Sequence, residues 1–81
     1  MKKSEINATV KAAFEKFALE PPRPSNIGYD KKEGTICLNV PATVNSVPVR
    51  LFNSLARAWK VKPENVLVGN NAPTFVVFLL K

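Results

Sequence analysis

The chain has 81 residues, 46% of them hydrophobic and 22% charged, the balance of one globular domain rather than of a disordered segment. Twelve Lys and Arg against six Asp and Glu leave a net charge of +6. No apolar run approaches the roughly 18 residues of a membrane span, and Met1-Lys2-Lys3-Ser4-Glu5-Ile6-Asn7 has a basic tip without the apolar stretch of a secretory signal.

Residues 4–19 predict a helix, with Ser4 as N-cap and Glu5 in the first turn. Ile6, Val10, Ala13, Phe14 and Phe17 form one apolar stripe. Glu5, Lys11, Glu15 and Lys16 share the other face, balanced in sign. Pro21-Pro22-Arg23-Pro24 ends the helix, and residues 20–25 read as a stiff, extended connector in preference to a PxxP ligand. Residues 26–40 predict a hairpin: a short strand over 26–29, the polar turn Asp30-Lys31-Lys32-Glu33-Gly34, then a strand in which Ile36, Leu38 and Val40 alternate with Thr35, Cys37 and Asn39.

Pro41 breaks that strand. A second helix is expected over 46–60, with Asn45 or Ser46 as N-cap and Pro48 in the first turn. Its wheel sorts Pro48, Val49, Leu51, Phe52, Leu55, Ala56 and Trp59 from the opposite arc of Arg50, Asn53, Ser54, Arg57 and Lys60. Residues 65–80 predict a second hairpin around Gly69-Asn70-Asn71-Ala72, ending in an apolar run from Phe75 to Leu80. No internal repeat stands out. The expected fold is therefore a single α+β domain over residues 1–81, two-layered, in the order α-β-β-α-β-β, with a four-stranded, mostly antiparallel sheet packed by two helices. The runner-up is a three-layer arrangement with one helix on each face.

The residue inventory restricts the chemistry. There is no histidine and a single cysteine, Cys37, which excludes Ser-His-Asp and Cys-His nucleophiles, His/Cys zinc sites and an intrachain disulfide. Gly28, Gly34 and Gly69 are too widely spaced for a phosphate loop. Asp30 and Glu33 are near neighbours, but Lys31 and Lys32 lie between them. No catalytic, cofactor-binding or metal-binding residue is assigned, and the reading is of a protein that is not an enzyme. Cys37 reads as an inert strand residue, and a lone thiol without an export signal fits a reducing cytoplasm.

Gly34-Thr35-Ile36-Cys37-Leu38-Asn39-Val40, Leu55-Ala56-Arg57-Ala58-Trp59-Lys60-Val61 and Val66-Leu67-Val68-Gly69 together resemble the YggU-like domains, small α+β proteins of uncharacterised function. The resemblance covers about residues 34–69. It implies a strand-helix-hairpin unit and no site residue.

Two surfaces are candidates for function. Residues 1–34 carry seven basic and five acidic residues, hence +2, whereas residues 35–81 carry five basic and one acidic, hence +4. Arg50, Arg57, Lys60 and Lys62 lie on or just past the second helix, with Asn53 among them. This one-signed face suits contacts to RNA or DNA phosphates. The second surface is the side of the sheet away from the helices. There the final strand must present one of its alternate apolar sets, either Phe75/Val77/Leu79 or Val76/Phe78/Leu80, and Phe75, Val77, Phe78 and Leu80 are taken as the interface. The favoured function is a small basic binding module that docks a protein, or a second copy of itself as a homodimer, through its sheet. The alternative is nucleic-acid binding through the second helix.

Overall fold

A computed structural model describes residues 1–40, 48–69 and 74–80. The elements run α1 (Lys3–Lys16), β1 (Ile27–Asp30), β2 (Thr35–Val40), α2 (Val49–Ala58), β3 (Val66–Gly69) and β4 (Thr74–Leu79), with short 3₁₀ turns at Pro24–Asn26 and Pro63–Asn65. The order is α-β-β-α-β-β, and every strand pairing is antiparallel in the sheet order β1-β2-β4-β3.

Both helices lie on one face, so the domain has two layers. Ile6, Val10, Ala13 and Phe14 of α1 and Leu51, Phe52, Leu55 and Ala56 of α2 join one core with the inward residues of the strands. On β2 and β4 those inward residues are Ile36, Leu38, Val40, Val76 and Phe78, each wholly buried. The alternate set is covered by nothing in the described chain: Thr35, Cys37, Asn39, Val77 and Leu79 are half-buried and Phe75 is exposed. A helix on each face would have buried both sets. The continuous apolar run of β4 therefore marks a strand central in its sheet but covered on one side only.

Element ends depart from the sequence reading by a few residues. Lys2, not Ser4, is the N-cap of α1, and no side chain caps it. The 46–60 helix is observed as Val49–Ala58 with Pro48 at its N-cap, while Asn45 and Ser46 fall outside the described residues, as do Asn70, Asn71 and Ala72 of the second hairpin's turn. Proline suits that position because it has no N–H to leave unbonded and its φ is already near −65°. Val49, placed on the apolar half of the wheel, is the first residue of the helix and 70% exposed. Residues 26 and 65 belong to the 3₁₀ turns, so β1 and β3 each start one residue later.

The two halves of the chain share one series of backbone features, although no internal repeat stands out in the sequence. Each helix ends in a residue of left-handed backbone, Ala18 and Lys60, both at φ 58°. Beyond each, an N–H turns back to the last helical turn: Leu19 donates to the Phe14 carbonyl at 2.9 Å and Val61 to the Ala56 carbonyl at 2.7 Å. Each chain then enters a 3₁₀ turn of Pro-x-Asn, Pro24-Ser25-Asn26 or Pro63-Glu64-Asn65, and a hairpin. Ile27 opposite Leu38 in the first hairpin matches Val66 opposite Phe78 in the second. By that correspondence Cys37 matches Val77, and these two residues face each other across the β2–β4 ladder.

Candidate functional site

The open face of the sheet follows from the register. Directly opposed residues of antiparallel strands point to the same side. One row across the sheet is Gly28, Cys37, Val77 and Leu67, and a second is Asn39, Phe75 and Gly69. A third holds Asp30, Thr35 and Leu79. Leu67 is 52% and Phe75 47% exposed, beside half-buried Val77 and Leu79. These side chains form one apolar patch centred on the Cys37–Val77 pair. None of the four strands contains a Lys or Arg, although the protein carries a charge of +6.

Two of the four predicted interface residues are on this patch, Phe75 and Val77. The other two, Phe78 and Leu80, are not. Phe78 points to the helices, is wholly buried and meets Trp59. Leu80 packs against the same core. The correction has a simple cause: Ile36 lies opposite Phe78, so the parity of β4 is inherited from β2. Leu67 was missed, whereas Leu79 belongs with Phe75 and Val77 to the alternate set of the final strand that faces outward. The alternation Thr35, Cys37, Asn39 held the signal, since whatever pairs with those positions shares their face.

The Cys37 thiol has its pKa raised, first by burial and second by the negative charge of Asp30 on the same face. It is thus held in the protonated, weakly nucleophilic form. Asn39 Oδ1 is shut off from solvent with no hydrogen-bond partner among the described residues. Asp30 stiffens the β1–β2 turn, its Oδ1 accepting from the Glu33 N–H at 3.0 Å.

The helix layer carries the second surface. Arg50, Asn53 and Arg57 line a common depression of about 210 Å³ together with Ser54 and, from α1, Lys16 and Phe17. The other two predicted cations lie elsewhere: Lys60 is the left-handed residue closing α2, and Lys62 is the N-cap of the following 3₁₀ turn. Lys16 was not foreseen because the charges of α1 cancel along the chain. It joins the arginines only through the packing of α1 on α2.

Among the described residues no group of three His, Cys, Asp or Glu is placed to hold a metal ion. No described helix is long and apolar enough to cross a membrane. No family model, curated protein or solved structure matches the chain.

Proposed function

We propose that this protein is a small non-enzymatic binding module of the cytoplasm that docks protein through the open face of its sheet, with a second copy of itself as the partner. The observation that supports this is the patch of Leu67, Phe75, Val77 and Leu79 on strands that carry no Lys or Arg. Exposed apolar rows on a sheet are liabilities unless they are covered. Two bodies of charge +6 repel each other, and approach costs least where neither presents a cation. Two such sheets pack face to face at about 10 Å, the spacing of a sandwich core.

Sedimentation velocity over a range of concentrations tests the reading. The wild-type chain is expected to shift toward a dimer as concentration rises. Val77→Lys, a charge set at the centre of the patch, is expected to remain monomeric with its Trp59 fluorescence unchanged. A wild-type chain that stays monomeric throughout overturns self-pairing.

A further inference from the structure

The depression between α1 and α2 is part of a longer trough. It adjoins one of about 300 Å³ lined by Thr9, Ala12, Ala13 and Ala58, with which it shares Lys16 and Ser54. On the other side it adjoins one of about 380 Å³ floored by Ala56, Val61 and Pro63, with which it shares Asn53 and Arg57. No Asp or Glu lines any of the three. Lys16 and Arg57 therefore stand where the depressions meet, Arg50 lines the middle one, and small apolar side chains line the outer two.

We infer that this trough binds a single strand of nucleic acid, with Lys16, Arg50 and Arg57 on its phosphates. The alternation matches the ligand. Phosphates need fixed cations and hydrogen-bond donors, which the three basic side chains, Asn53 and Ser54 supply. Bases need apolar or aromatic surface, which Phe17 offers beside Lys16 and the alanines and Pro63 offer further along. A duplex fits less well. A duplex keeps its bases stacked and paired, so they cannot lie on Phe17, the alanines or Pro63. The trough lies on the layer opposite the docking sheet, so both surfaces can be occupied together, and a dimer would present two troughs.

Fluorescence anisotropy with a short labelled oligothymidylate, its RNA counterpart and a duplex of equal length tests this. Three phosphate contacts to a single strand predict a slope of log K against log[salt] of about −2, or about a 20-fold loss of affinity between about 50 and 200 mM salt. Lys16→Gln, Arg50→Gln and Arg57→Gln should each make the slope shallower by about 0.7. Lys60→Gln and Lys11→Gln, which change the net charge equally outside the trough, should leave it unchanged. All these side chains are exposed, and circular dichroism checks that the fold is kept. Equal losses from Lys60→Gln, Lys11→Gln and Lys16→Gln would reduce the effect to net charge and overturn the site. So would a mononucleotide that competes as well, per phosphate, as the oligonucleotide, or a preference for the duplex. Val77→Lys should bind the single strand like the wild-type chain, which separates this test from that of self-pairing.

Discussion

The indole of Trp59 meets the ring of Phe78 edge to face, with centroids 5.0 Å apart and planes at 82°. This is the favourable geometry for two ring quadrupoles. It ties the C-cap residue of α2 to the central strand β4, and it separates two phenylalanines of one strand by role. Phe78 is wholly buried, whereas Phe75 is 47% exposed on the open face.

Phe78→Ala should therefore cost about 3–5 kcal/mol, a large part of the stability of a domain this small. Phe78→Leu should cost about 1–1.5 kcal/mol and keep the fold measurable. Phe75→Ala should change monomer stability by less than about 1 kcal/mol and weaken self-association instead. Urea unfolding followed by Trp59 fluorescence at low concentration, with sedimentation at high concentration, reads the two effects apart.

Ala18 and Lys60 hold left-handed backbone at φ 58°, which costs an L residue about 1 kcal/mol relative to glycine. Ala18→Gly and Lys60→Gly should each raise stability by up to about 1 kcal/mol, less the extra freedom of the unfolded chain. The two sites hold equivalent places after α1 and α2 and are set in separate turns, so their gains should add in the double variant. Thermal unfolding of the two single variants and the double variant checks both the sign and the additivity.

Gly34 predicts the opposite sign. It sits at φ 69° and is buried. Its N–H donates to the Asp30 carbonyl and its own carbonyl accepts from the Leu80 N–H, both at 2.8 Å. It thus closes the first hairpin and ties it to the end of β4. Gly34→Ala should destabilise by about 1–2 kcal/mol, and Asp30→Ala, which removes the turn acceptor, by about 0.5–1 kcal/mol. Denaturant midpoints measure both.

Cys37 should be slow to react. Burial and Asp30 raise its pKa, so its thiolate fraction at neutral pH falls below that of an unfolded cysteine. Its reaction with a disulfide reagent should then be slower in the native chain than in urea. The unfolded thiol loses its proton first as pH climbs. The stability linked to this group is thus whole below the ordinary thiol range and is lost as pH rises through the higher folded value. Relative to Cys37→Ala, the wild-type chain should lose stability in alkaline solution. An identical pH dependence in the two proteins counts against the shift.

The order of elements was legible from spacing alone. The stripe Ile6, Val10, Ala13, Phe14 needs only the helical period, and Ile36, Leu38, Val40 only the strand period. Prolines at 21, 22, 24 and 63 bounded the helices for the same local reason. Half of the proposed sheet interface was also legible, in Phe75 and Val77. The likeness of the two halves was not, because they share little sequence beyond Pro-x-Asn before a β-branched residue at Ile27 and Val66. Its evidence is backbone geometry at Ala18 and Lys60.

What a residue's neighbours along the chain dictate, the sequence by itself determined: two amphipathic helices and two hairpins. The tertiary structure decided which alternate set of β4 turns outward, and it brought Lys16 beside Arg50 and Arg57. The physical reason is that both sets of β4 are apolar, so hydrophobicity along the strand cannot choose between them. Only the ladder that places Ile36 opposite Phe78 does. The meeting of Lys16 with the arginines likewise depends on how two helices pack across a shared core, a relationship that periodicity within either helix does not contain.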